Sequence, residues 1–145
     1  MINGFTLIEL LVAIAILGII SAIGIVSYTG YIDNAKQQQA TTGLSSIALS
    51  QEEFRAMNRF YYPIAGNDCA DNANDSADIN SGLFFGDNVL KTGSEAHYTF
   101  CIDTDVNGNT FTAHAYSTET GNADTFSITH TGTKVSNIGG DAGTW

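Results

Sequence analysis

The sequence predicts an α+β chain: one long amino-terminal α-helix packed on a small antiparallel β-meander. Three observations carry that prediction. Residues 5–26 form an apolar run of about 22 residues whose only charge is Glu9. Helical spacing then continues to about residue 57, and the only proline, Pro63, lies beyond it. Finally, three short runs of alternating apolar and polar residues follow, separated by turn-forming pairs.

In a helix the apolar run is about 33 Å long, and a bilayer core needs about 20 apolar residues. Residues 5–26 can therefore span a membrane with every backbone polar group satisfied internally. Glu9 departs from an ordinary anchor. A carboxylate in a membrane segment costs about 2.5–3.5 kcal/mol at the centre and less near the end, and such residues are functional candidates with a partner. No basic residue precedes Lys36, so the charge that would pair with Glu9 is expected from outside this stretch. The alternative is a glutamate tolerated at the interface. Cutting after the small residue Gly4 would place a cationic amine on Phe5, within reach of Glu9 on a neighbouring helix.

From residue 27 the helix is expected to turn amphipathic. Tyr28, Ile32 and Ala35 share a face. Leu44, Ile47, Ala48 and Phe54 form a second stripe suited to a sheet, with Asp33, Lys36, Gln37 and Gln38 opposite. Gly30 and Gly43 weaken local propensity. Tyr28, Tyr31, Phe60, Tyr61 and Tyr62 read as packing aromatics.

After Pro63 the composition turns acidic and small, and residues 63–80 are expected to be a surface loop pinned by Cys69. Leu83, Phe84 and Phe85 form a short apolar patch that covers the core. The first strand alternates Tyr98, Phe100 and Ile102 against His97, Thr99 and Cys101. The second places Phe111, Ala113, Ala115 and Tyr116 near one side. The third sets Phe126 and Ile128 against Thr125, Ser127 and Thr129. Asn107-Gly108 is a hairpin signal, and residues 119–122 form another turn. A fourth short strand is expected at residues 133–135. The glycine-rich tail from Asn137 is expected as coil, with Trp145 docked on the head.

The totals leave room for one domain of about 90 residues after the helix. Cys69 and Cys101 are the only cysteines, and in an exported head they read as one disulfide. The 33-residue loop it closes makes it worth roughly 3–4 kcal/mol. Net charge is -10, from fifteen acids against five Lys and Arg. This keeps a head soluble and disfavours attraction to DNA phosphates. Residues 103–108, Asp-Thr-Asp-Val-Asn-Gly, match the first half of a calcium loop. The twelfth position is His114 where a bidentate Glu should stand, and the same residues make a good hairpin turn. His97, His114 and His130 fall on three different expected strands, out of phase for a zinc site. No paired catalytic carboxylates, nucleophile–base pair or phosphate loop points to an enzyme, and no cofactor is expected, with calcium at residues 103–108 left open as the weaker alternative.

Gly4-Phe5-Thr6-Leu7-Ile8-Glu9-Leu10-Leu11, opening into an apolar helix, resembles the class III signal of type IV pilins and pseudopilins. The resemblance covers residue 4 to about residue 31. It implies a pilin fold and a prepilin peptidase that cuts between Gly4 and Phe5 and methylates the Phe5 amine. It also implies that Glu9 registers subunits, and that the helix packs in a filament core with the head outward. The expected organisation is a leader at 1–4, short or truncated, a transmembrane and filament-core half-helix at 5–27, and an amphipathic half at 28–57. The head at 58–145 then carries a loop at 58–96 and a sheet at 97–136.

The resemblance implies a major pilin that polymerises with itself, with a minor pilin, a secretion pseudopilin or a membrane-anchored binding module as alternatives. Its partners would be the assembly machinery of a bacterial inner membrane and membrane lipid before assembly, with no direct nucleic-acid binding. Adhesion, motility and DNA uptake are all open. Two departures stand out. No Lys or Arg precedes Gly4, and no proline stands near Val26, where Gly18 and Gly24 remain as a possible soft segment.

Overall fold

A computed structural model describes residues 4–63, 69 and 75–145, without the side chains of 24–27 and 29. Helix α1 runs Leu7–Asn58. Its carboxyl end closes at Arg59, which takes a left-handed φ of 71° while its N–H donates to the Arg55 carbonyl at 2.7 Å. The chain divides into two compact units, Met1–Ala35 and Lys36–Trp145.

The amino-terminal unit holds the first part of α1. Its first helical bond runs from the Leu10 N–H to the Thr6 carbonyl, 3.3 Å. The apolar side chains described from Phe5 to Ile23 are exposed around the whole helix circumference. The Ser21 hydroxyl donates to the Leu17 carbonyl (2.7 Å), so a polar group in this run is satisfied within the helix. The sequence leads one to expect a bilayer span over residues 5–26, but among the described residues no helix is long and apolar enough to cross a membrane. The side chains of residues 24–27 are not described, so that expected span does not lie in full among the described residues.

The carboxy-terminal unit holds the rest of α1, helix α2 at Ser76–Gly82, a 3₁₀ turn at Gly93–Glu95 and five strands. The strands are β1 Tyr98–Thr104, β2 Phe111–Ser117, β3 Thr125–Thr129, β4 Lys134–Ile138 and β5 Asp141–Gly143. They form one antiparallel meander in chain order. The α+β reading holds, with one strand more than expected. The tail does not stay coil: Gly139 and Gly140, both at positive φ, turn the chain back so that Asp141–Gly143 pairs with β4. Residues 64–68 and 70–74 of the expected acidic loop lie outside the described residues. The end of that expected loop is instead α2, because Ser76, Ile79 and Asn80 face inward at helical spacing and are buried.

The core is one cluster. Ala40, Leu44 and Ile47 of α1 are fully buried with Phe100, Ile102, Phe111, Ala113, Ala115, Phe126 and Ile128 from one face of the sheet. Ala48 and Phe54 lie at its margin. Gly43 has a packing reason as well as a propensity cost: a Cβ there would collide with the Phe100 ring. Tyr61 is buried edge-on to Phe111, with ring centroids 4.8 Å apart. Leu83 and Phe84 cover the core as expected. Phe85 does not: it is exposed, at a φ of 55°.

Tyr116 is also a correction. It stands on the opposite face from Phe111, Ala113 and Ala115, because strict alternation along β2 sends every second side chain outward. Trp145 docks as expected. Its indole N–H reaches the Ser127 and Val135 carbonyls at 3.2 and 3.1 Å, and Lys134 Nζ lies 4.2 Å from its ring centre.

Three side-chain amides fasten the connections of this unit, each using both its arms on backbone. Gln39 Nε2 donates to the Glu95 carbonyl (3.3 Å), and its Oε1 accepts the His97 N–H (3.0 Å). Gln51 Nε2 donates to the Tyr62 carbonyl (3.2 Å), and its Oε1 accepts the Tyr62 N–H (2.8 Å). Asn80 does the same to Leu90, at 2.8 and 2.9 Å. Each amide supplies the donor–acceptor pair that a neighbouring strand would otherwise provide.

Candidate functional site

The amino-terminal signal begins at Gly4 and Phe5, both exposed and outside the helix. A Cβ on Gly4 would meet nothing within 4 Å, so the peptide bond between the two is open to approach. Thr6 is the residue before the first helical position. Its backbone N–H and its hydroxyl both donate to Glu9 Oε2, at 3.0 and 2.7 Å. The Glu9 N–H returns to the Thr6 hydroxyl oxygen at 3.4 Å. This reciprocal arrangement, Thr-x-x-Glu, satisfies backbone donors that the first turn of a helix otherwise leaves bare.

Glu9 therefore has a partner within the chain, and it is a threonine rather than a basic residue. The signal was legible, since threonine three residues before glutamate at a helix start is a capping pattern. Among the described residues Oε1 has no partner, so one carboxylate oxygen stays available to an outside donor.

In the carboxy-terminal unit Cys69 and Cys101 are bonded, with Cα atoms 5.8 Å apart, which confirms the expected disulfide. Cys101 is fully buried although it alternates with the core face, because its sulfur is taken up in that bond.

Asp105 shows what the residues resembling a calcium loop do. Its Oδ1 accepts the backbone N–H of Asn109 and, at 2.8 Å, that of Thr110. These bonds, Thr110's foremost, hold its carboxyl below the usual aspartate range. Gly108, at a φ of 66°, closes the turn by donating to the Asp105 carbonyl at 2.9 Å. Among the described residues no group of three His, Cys, Asp or Glu side chains could hold a metal ion.

The three histidines are not brought together. His97 precedes β1, His114 lies within β2 and His130 follows β3, so only one of the three is on a strand. His97 Nδ1 lies 3.4 Å from Glu119 Oε1, which also takes Lys36 Nζ at 2.6 Å. The hydrogen bond from Lys36 is the main reason the Glu119 carboxyl sits below its ordinary range. A cleft of about 230 Å³ is lined by Ser50, Glu53, Phe54, Met57, Asp87 and residues 83–85. No histidine or lysine stands among these to activate the serine.

Comparison with known proteins bears on these features. A family model described as "Type IV minor pilin ComP, DNA uptake sequence receptor" matches residues 26–131, and one described as "Prokaryotic N-terminal methylation motif" matches residues 1–25. The chain is 41% identical over 52 residues to the type IV major pilin protein PilA of Myxococcus xanthus, covering 36% of this chain and 24% of that protein. It is 37% identical over 82 residues to a fimbrial protein of Moraxella nonliquefaciens, covering 57% of this chain and 50% of that one. The chain thus spans half or less of the length of these curated relatives. No solved structure gives a significant match. A methylation motif on a capped apolar helix, a long helix packed on an antiparallel meander, and a pilin model over most of the chain converge: the chain belongs to the type IV pilin family.

Proposed function

We propose that the chain is a structural, non-enzymatic subunit of a type IV pilus, stored in a bacterial inner membrane and then polymerised at the cell surface. The observation that carries this reading is the exposure of every described apolar side chain from Phe5 to Ile23, in a chain whose other unit has its own core. Such a surface fits lipid before assembly and copies of itself afterwards. Prepilin peptidase cuts between Gly4 and Phe5 and methylates the Phe5 amine. Thr6 and Glu9 both lie after the cut, so the capping arrangement survives it, and Glu9 Oε1 receives the Phe5 amine of a neighbour.

Mass analysis of assembled filaments tests the reading. N-methyl phenylalanine at Phe5 is expected, and fibres that retain Met1 would overturn it. Glu9→Ala should abolish filaments while the protein stays in the membrane; a membrane-anchored binding module would keep its function in that variant. Abundance in purified filaments separates a major from a minor pilin.

A second reading, a minor pilin that binds DNA, is favoured by the description of the matching family. Charge counts against direct contact here. Lys36 is paired with Glu119 and Lys91 with Glu95, Arg55 donates to the Tyr61 hydroxyl, and Lys134 covers Trp145. Four of the five bases are thus engaged within the chain, whereas DNA affinity rests on bases that meet phosphates. Salt-dependent retention of duplex DNA by the purified chain would revive that reading.

A further inference from the structure

Two exposed rings on α1 are used by neither the core nor the amino-terminal signal. Tyr28 and Tyr31 are 66% and 70% exposed, and neither belongs to the core cluster, so they are not the packing aromatics that the sequence suggests. They stand three residues apart, on one face of a helix that runs unbroken through both. Among the described residues neither hydroxyl has a hydrogen-bond partner. Their place along the chain sets them apart. Apolar residues run from Phe5 to Val26, and charged and amide side chains follow at Asp33, Asn34 and Lys36. The two tyrosines fall in the short interval between. From Leu7, the first helical residue, to Tyr28 is about 32 Å along the axis, against about 30 Å for the hydrocarbon core of a bilayer.

We infer that Tyr28 and Tyr31 bind the headgroup layer of the membrane and fix the depth at which the subunit waits before assembly. The inference rests on the membrane storage proposed above and adds the residues that set its level. A phenol ring is apolar in its body and polar at its tip, so it is most stable where hydrocarbon meets water. Two on one helix face, with unbonded tips, hold that face at the boundary. Cover by the apolar run of another copy would bury both hydroxyls unsatisfied, whereas headgroups and water satisfy them. The anchor is one-sided. Sinking inward would take both hydroxyls and then Asp33 into hydrocarbon. Movement outward draws no base through it, because no Lys or Arg lies between Phe5 and Ala35. The pair is thus a stop against sinking that leaves the exit toward a filament open.

The test uses the full chain, its disulfide intact, in vesicles of phosphatidylethanolamine and phosphatidylglycerol, where no assembly machinery is present. Single cysteines report depth by their reaction with a water-soluble maleimide: Ile20→Cys inside the apolar run, Gly30→Cys between the rings and Asn34→Cys beyond them. Gly30 accepts a side chain, since a Cβ there meets nothing within 4 Å. Ile20→Cys should be protected, Asn34→Cys open and Gly30→Cys intermediate. Tyr28→Phe and Tyr31→Phe together remove the polar tips and should sink the helix, slowing labelling at Gly30→Cys about tenfold. Tyr28→Ser and Tyr31→Ser together should raise it and speed labelling there, while Trp at both positions keeps the original rate. All these changes fall on exposed side chains outside the core. With Ile20→Cys protected, Gly30→Cys labelled as fast as Asn34→Cys, or unmoved by both the Phe and the Ser pairs, overturns this inference alone. Fast labelling at Ile20→Cys overturns membrane storage, and this inference with it.

Discussion

Helix α1 contains two apolar stretches that meet their surroundings differently. From residue 7 to 23 the apolar side chains occupy all sides of the helix and are exposed. From residue 40 to 47 they occupy one stripe, and Ala40, Leu44 and Ile47 are fully buried. Apolar content alone does not separate the two, but distribution does. A stripe can be covered by one sheet, whereas a helix that is apolar all round must find its cover in lipid or in other copies. Polar groups follow the same division. In the first stretch Ser21 and one oxygen of Glu9 bond within one turn of the helix; flanking the second, Gln39 and Gln51 reach backbone 58 and 11 residues away.

The largest test of this contrast removes the staple of the second unit. Replacing Cys69 and Cys101 together by Ala should cost about 3–4 kcal/mol in chemical denaturation of the chain. A loss near zero would mean that the core alone sustains the head. Gln51→Ala leaves the Tyr62 N–H and carbonyl without their partners and should cost about 1–3 kcal/mol by the same measurement. Gly43→Ala drives a methyl into Phe100 and is expected to cost about 1–3 kcal/mol, although alanine is the better helix former.

Thr6→Ala addresses the first stretch. It should weaken the helix start by about 0.5–2 kcal/mol, seen as faster amide exchange at residues 6–9, while the denaturation midpoint of the head stays unchanged. A shifted midpoint would break the contrast. The smallest effect is electrostatic. The Glu119 carboxyl is held below its ordinary value of 4.5, so its contribution is complete above that value and fades as pH falls through the depressed one. Glu119→Gln should flatten stability in this acid window by about 0.2–1 kcal/mol and slow no other transition.

Much of this was legible in the sequence because it rests on period and spacing. The α1 stripe, the three main strands, the Asn107-Gly108 turn and the disulfide all announce themselves locally. What escaped depended on partners far along the chain. Gln39 and Gln51 resemble ordinary exposed glutamines, and only the return of residues 61–62 and 95–97 gives their amides work. Helix α2 was hidden because its seven residues are too few to establish a helical period, and its composition is that of a loop. Tyr116 does not share the side of Phe111, Ala113 and Ala115 that the sequence reading gives it, because alternation along β2 turns it outward. At the amino terminus the partner is local instead: Thr6 and Glu9, three residues apart at a helix start, form a capping pair legible in the sequence.

The amide fastenings have a consequence for where such a head can serve. Gln39, Gln51 and Asn80 neither gain nor lose protons, attract no counterions and need no metal. The seams they close are therefore blind to acidity and salinity, the two variables that swing most widely outside a cell. Repulsion among ten surplus negative charges weakens and strengthens as the salt around them rises and falls. Through such changes, these neutral latches would hold the same loops in place in brine or in fresh water.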